Sequence, residues 1–331
     1  MPSRVNNREM ATRKEAILKQ IEKKTGLIEK RIVKTYKESM DRIGTKFEKA
    51  YRKIEKEGLT INNITSVQRL RSLYQDIYTE MRKIEPKVYK WVRDNAEASF
   101  KKSYYENFFV MEKGLELPLT FNRLNAARVR AIVKNPFPGT TLEELIVTVK
   151  NRAFSGIKYE LAVGQALGSG PREIAREMLK AGDIFKAQFN NAAYNALRIA
   201  RTESLRAASY AQLEMEQEAT AAGVKFKKQW ISTLDDRTRE DHVVMDGDFA
   251  DDNGYFTLPD GTETTAPRMS GVAEQDINCR CAFSEFVEGI SRDLEEIRAS
   301  QKGAMVIDGK QVKYSDVNYE KWKSGKGIKD E

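Results

Sequence analysis

His242, Cys279 and Cys281 are the only histidine and the only cysteines of this chain, and all three fall between Val224 and Val287. Imidazole nitrogen and thiolate sulfur are zinc's preferred protein ligands, at about 2.0 to 2.3 Å in a tetrahedron. The cysteines stand as Asn278-Cys279-Arg280-Cys281. On a strand, side chains two apart share a face, so both thiols can meet an imidazole brought by another element. That supplies three ligands. A fourth would be Asp236, Asp241 or a water. Cys-x-Cys is a looser metal signature than Cys-x-x-Cys, and the same residues also fit two small buried thiols beside a hydrogen-bonded histidine, organising a loop-rich domain. A disulfide between such close neighbours would be strained, so a reducing compartment or a metal is the simpler expectation.

The elements that must carry these groups change character at Gly223. Ahead of it the pattern is helical. From Ala11 to Glu57, Tyr36, Met40, Ile43, Phe47, Ala50 and Ile54 recur in alternating steps of four and three, a seam that packs on another helix of this chain or of a second copy. Gly58 and Asn62-Asn63 break that helix, and Thr65 or Ser66 can cap a second one running to Glu85. Pro86 then stops it or opens a third over Lys87 to Lys113, whose face of Tyr89, Trp91, Phe100, Tyr104 and Phe108 reads as core. Shorter helices are expected near Asn122 to Lys134, from Thr141 toward Leu167 with Glu143 and Glu144 in its first turn, and over Arg172 to Lys180 after the Gly168-to-Pro171 joint. A long Ala-rich helix runs from Asp183 to Ala222.

Beyond Gly223, Val224, Phe226 and Trp230 predict a strand, and Asp235 caps a helix over Asp236 to Met245 that carries His242. Tyr255 to Leu258 and Cys279 to Val287 are the next strands. A helix to Ser300, a hairpin over Asp308-Gly309 and a lysine-rich end follow, with Tyr319 and Trp322 placed to fold back or to grip a neighbour. The fold class is therefore α+β. Its linear sections are a basic helical stalk or hairpin (1–113), a helical segment leading onward (114–222), a small β-rich α+β domain with the His/Cys cluster (223–288), and a terminal helix, hairpin and tail (289–331).

The 331 residues are 40% hydrophobic and 32% charged, with a mean hydropathy of −0.61, which suits long solvated helices around a modest core. No apolar run is long enough to cross a bilayer, and Met1 to Arg13 lacks the apolar stretch of a secretory signal, so a cytoplasmic start is expected. Residues 1–113 hold 27 Lys/Arg against 16 Asp/Glu, a surplus of +11, whereas Val224 to Phe286 holds 7 against 13. The basic half can bind phosphates non-specifically, in a salt-dependent way. Matched acids such as Glu22, Glu29 and Glu55 also make it an ordinary solvated surface.

Other groups carry structural expectations. Arg201, with Glu203 on the same helix, should reach the small sheet and bond a carboxylate or carbonyls there. Trp230 should anchor that sheet on the long helix, and Arg237 should pair with Asp241 at helical spacing. An Arg, Ser/Thr and Glu set is also used by ADP-ribosyltransferases, but on separate strands, whereas Arg201-Thr202-Glu203 share one helix. A metal-dependent nuclease or hydrolase built on His242, Asp236, Asp241 and the cysteines is the enzymatic alternative. One histidine cannot make a two-histidine His-Asn-His site, and the chain has no phosphate loop, Gly-x-Ser-x-Gly elbow or His-Glu-x-x-His segment. No complete catalytic constellation is found.

The ordered set of Ala200-Arg201-Thr202-Glu203, Trp230, Asp236-Arg237-Thr238-Arg239 with His242 three residues on, Gly247, Pro259 and Asn278-Cys279-Arg280-Cys281 resembles the phage Mu protein F-like head morphogenesis family, over roughly Pro171 to Val287. The resemblance implies a minor capsid protein of a tailed phage, assembled in the host cytoplasm and carried in the virion near the portal. Its implied partners are the portal protein and the major capsid or scaffolding protein, and its implied role is in procapsid assembly, DNA packaging or ejection. Self-association through the N-terminal helices and non-specific DNA contact fit the same picture.

Overall fold

A computed structural model describes residues 6–56, 64–136, 139–166, 182–301, 304–307 and 309–328. Along the chain run α1 (Asn7–Lys56), α2 (Ile64–Leu115), α3 (Ala126–Lys134), α4 (Leu142–Ala166) and α5 (Gly182–Ala221). Then come β1 (Val224–Ile231), α6 (Glu240–Val244), β2 (Phe256–Thr257), β3 (Glu263–Thr264), α7 (Ala273–Asp276) and β4 (Ala282–Ile290). The chain closes with α8 (Arg292–Gln301), β5 (Ala304–Ile307), β6 (Lys310–Lys313), a 3-10 turn and α9 (Tyr319–Gly325). The α+β expectation holds: long helices precede small antiparallel sheets.

Two compact units emerge, residues 1–24, 96–133 and 202–331 in the first, residues 25–95 and 134–201 in the second. The four linear sections track changes of residue pattern. The compact units are instead assembled from separated stretches.

In the second unit, Ile32, Tyr36 and Ile43 of α1 are buried, as are Ile77, Met81, Ile84, Val88 and Val92 of α2. The seam read from Tyr36 and Ile43 is thus used inside the chain: Tyr36 lies edge-on to Phe189 of α5 at 6.5 Å, and Arg42 bonds Glu80 of α2 at 3.0 Å. The side chains of Phe47, Ala50, Ile54, Thr65 and Ser66, the break at Gly58, and the helix expected over 172–180 lie outside the described residues. Thr141 and Glu144 form a capping box at the start of α4, Glu144 N–H donating to Thr141 Oγ1 at 3.2 Å and Thr141 N–H to Glu144 Oε2 at 2.7 Å. One expectation fails here. α2 continues through Pro86, because the buried residues on either side of it repeat at helical spacing and hold the element in register.

In the first unit, β1 and β4 pair antiparallel with Trp230 opposite Phe283 and Val224 opposite Ile290, and a bulge lies between Lys225 and Phe226. Beside that bulge the Asn7 side chain acts as a short strand mimic, donating to Val287 O at 3.2 Å and accepting from Val287 N at 2.9 Å. Phe100, Tyr104 and Phe108 of α2 are fully buried, as their stripe predicted. The tail folds back inside this unit. Trp322 stacks on Phe121 at 5.7 Å and donates to Glu112 Oε2 at 2.6 Å, while Lys326 reaches Glu112 Oε1 at 2.6 Å. No helix among the described residues is long and apolar enough to cross a membrane.

Candidate metal centre

Three loops converge above the β1–β4 ladder. The β1–β2 connection carries α6 and with it His242. The expected helix over Asp236 to Met245 is shorter than its pattern suggested, beginning only at Glu240. Asp235 explains this: its Oδ1 accepts the Arg237 N–H at 3.0 Å, and Thr238 N–H donates to the Asp235 carbonyl at 3.0 Å, closing a turn in place of a first helical turn. Arg237 therefore pairs with Asp235 at 3.2 Å instead of Asp241.

Cys279 and Cys281 lie just ahead of β4, which begins at Ala282 rather than at Cys279. Left-handed backbone at Asn278 (φ 59°) turns the chain into them, a conformation asparagine tolerates better than most residues. The Asn278 N–H is fixed by Thr202 Oγ1 at 3.2 Å. Both sulfurs nevertheless converge on one atom, His242 Nδ1, at 3.6 Å from Cys279 and 3.5 Å from Cys281. The three candidate ligand atoms lie within 4.8 Å of one another, and neither Asp236 nor Asp241 joins the group. All three residues are buried. The Cys279 thiol, donating to Cys281, holds the Cys281 sulfur well below the ordinary thiol range. The same bond and burial push Cys279 up.

Sequence reasoning passed over several groups that hold this arrangement. Arg268 is buried and donates to the carbonyls of Cys279 at 3.2 Å and Cys281 at 2.5 Å and to Ser209 Oγ of α5 at 2.5 Å. Gln275 accepts at 2.9 Å from His242 Nε2. Arg280, projecting oppositely to its two neighbours, clamps Asp235 at 2.6 Å, holding that carboxyl well below its usual range. Nothing in the spacing marks Arg268 or Gln275, since their partners come from other loops. The placement of Arg280 between the cysteines was the available signal for it.

The expected anchors divide. Trp230 belongs to the core cluster with Met245, Phe256, Cys279, Cys281 and Phe283, and Leu213 of α5 packs against that cluster. Arg201 does not reach the sheet. It bonds Glu29 of α1 at 2.7 Å within the second unit. The buried pair expected of it is made instead by Arg206 with Glu203 at 2.8 Å, one helical turn on and facing the first unit's interior. Burial pushes the Glu203 carboxyl up. Arg201, Thr202 and Glu203 thus each serve a separate contact.

A second feature of the first unit is a cleft of about 640 Å³ whose walls carry Lys24, Lys101, Lys102, Arg123 and Lys323 against Glu106 and Glu320.

Residues 155–284 match the family described as Phage Mu protein F like protein, a stretch that contains all three candidate ligands. Two relatives extend the likeness. The chain is 26% identical over 289 residues to the minor head protein GP7 of Bacillus phage SPP1, an alignment covering 87% of this chain and 91% of that protein. It is 29% identical over 246 residues to the NAD(+)–arginine ADP-ribosyltransferase EFV of Enterococcus faecalis, covering 74% of this chain but only 49% of that one. The chain thus matches about half the length of the transferase. No solved structure matches.

Proposed function

We propose that this chain is a minor head protein of a tailed phage, carried inside the head at the portal vertex and helping procapsid assembly, DNA packaging or ejection. One observation carries the reading: the likeness to a minor head protein runs through 87% of this chain and 91% of that relative, so it takes in the helical half as well as the small domain. The portal protein and the major capsid or scaffolding protein are its partners, met in the host cytoplasm during assembly. Co-expressed with those subunits, the protein should sediment with procapsids on a gradient. Sedimentation with free protein alone would remove the assembly role.

The His242, Cys279 and Cys281 group in this reading holds zinc as a structural staple, closing the loops over β1 and β4. Burial argues against the hydrolase alternative, because a substrate phosphate has no route to a histidine only 2% exposed. The likeness to the transferase reaches only half of that protein, and Arg201, Thr202 and Glu203 lie on one helix, so transfer of ADP-ribose is not assigned to this chain. The basic cleft offers non-specific contact to DNA through phosphates, an interaction that should weaken steeply as salt rises. Duplex binding that is indifferent to salt would refute that contact.

A further inference from the structure

His242 has a neighbour that decides which of its two nitrogens can bind a metal. The side-chain amide of Gln275 donates through Nε2 to Asp260 Oδ2 at 2.7 Å and to Asp241 Oδ2 at 3.3 Å. Ionised carboxylates accept and do not donate, so the amide can stand only one way round, with its oxygen toward the imidazole. Oε1 lies 2.9 Å from His242 Nε2. Since a carbonyl oxygen only accepts, Nε2 must carry the ring proton, and in the neutral ring Nδ1 is then a bare lone pair. That lone pair is the atom on which both sulfurs converge, at 3.6 and 3.5 Å. Nitrogen and sulfur ligands at about 2.0 and 2.3 Å from one tetrahedral zinc stand about 3.5 to 3.6 Å apart, so the spacing is that of two edges of a filled site. Trp230 packs edge-on against the ring at 5.5 Å.

Resting on the zinc reading above, we propose that Gln275, locked by Asp241 and Asp260, is the positioning residue of the metal centre, holding His242 in the tautomer that presents Nδ1 to the ion. Asp241 then serves the site through the amide and not as a fourth ligand. Binding takes the Nδ1 lone pair and both sulfurs as thiolates, and the displaced thiol protons leave to solvent.

The test uses the full chain, purified reduced and without a histidine tag. Zinc affinity is measured by competition with a chromophoric chelator, and cobalt(II) substitution reads thiolate coordination from its charge-transfer band. Wild type should take up one equivalent. Gln275→Met, near in shape but with no acceptor for the ring N–H, should bind zinc about 10- to 100-fold more weakly, and Asp260→Ala, altered only at an exposed position, should show a smaller loss of the same sign. Zinc uptake below a tenth of an equivalent by reduced wild type would sink the zinc reading and this assignment together. Equal affinity in wild type and Gln275→Met would leave zinc standing and overturn the assignment alone. Should Gln275→Met fail to fold, Asp260→Ala decides: unchanged affinity there overturns the lock.

Discussion

Lys14 and Glu285 meet deep in the first unit as an ion pair whose side chains are 1% and 0% exposed. Gln212 bonds the other carboxylate oxygen at 3.1 Å. Desolvating two charges costs about as much as their attraction returns, so such a pair adds little net stability, while removing one member strands the other. At pH 6, where Lys14 is charged, Glu285→Ala should lower unfolding free energy by about 3 to 5 kcal/mol, and Lys14→Met with Glu285→Leu should recover most of that loss. Urea denaturation of the three proteins checks this, and equal midpoints for Glu285→Ala and wild type would contradict it. At this scale the sequence was half legible. His242, Cys279 and Cys281 stood out because their residue types are rare in this chain, and type alone marked them as one group. Lys14 and Glu285 come from opposite ends of a chain full of lysines and glutamates, and only the fold distinguishes them from solvated neighbours. Gln275 and Arg268 were hidden for the same reason.

Pro86 tests how far local propensity governs an element. Inside a helix, proline removes one hydrogen bond and crowds the preceding turn, at a cost of about 3 kcal/mol relative to alanine. Those facts argued for a boundary at Pro86, yet α2 runs from Ile64 to Leu115 without one. Burial of Met81, Ile84, Val88 and Val92 on both sides outweighs the penalty, which remains stored in the helix. Pro86→Ala should therefore raise stability by about 1 to 3 kcal/mol, the upper part of that range being trimmed by the greater freedom alanine gives the unfolded chain. The denaturant midpoint reports the change, and a midpoint that stays put or falls would mean the ring itself fills space the alanine leaves empty. The reverse error occurred at α6. There Asp235, read as a cap, predicted a helix from Asp236, and its hydrogen bonds close a turn instead. Helix existence was legible wherever burial repeated over many turns, as in α1 and α5. Boundaries were lost where one proline or one aspartate competed with tertiary contacts that a sequence does not display.

Across the first unit as a whole, burial sets the response to pH, and two sets of groups pull in opposite directions. Glu112, Glu203 and Glu216 have carboxyls pushed up by burial. Folded, they keep a proton to higher pH than they do unfolded, where the ordinary value is about 4.3. Their contribution is thus complete below that value and is lost as pH rises through their raised ones. Lys14 is the counterpart, drawn down to about 7 by burial against the opposing charge of Glu216, and burial lowers Lys228 in the same direction. The unfolded chain holds these protons to about pH 10.4, so between about 7 and 10 it binds more protons than the folded chain and stability rises with pH. Asp235 and Asp260, held low by Arg280 and by the Thr262 N–H respectively, matter only in acid, where their protonation removes stability below about pH 4. With chelator present to silence metal linkage, unfolding free energy should climb from pH 7 to pH 8.5, a stretch in which the lowered Cys281 thiol adds to the lysine trend and opposes the glutamates. Lys14 supplies about 2 kcal/mol of that climb, at about 1.4 kcal/mol per pKa unit. Lys14→Met with Glu285→Leu, which leaves neither partner of the pair stranded, should reduce the climb by that amount. A double variant that climbs as steeply as wild type between pH 7 and 8.5 would show that the amine stays charged at its buried position, held there by Glu285 and Glu216.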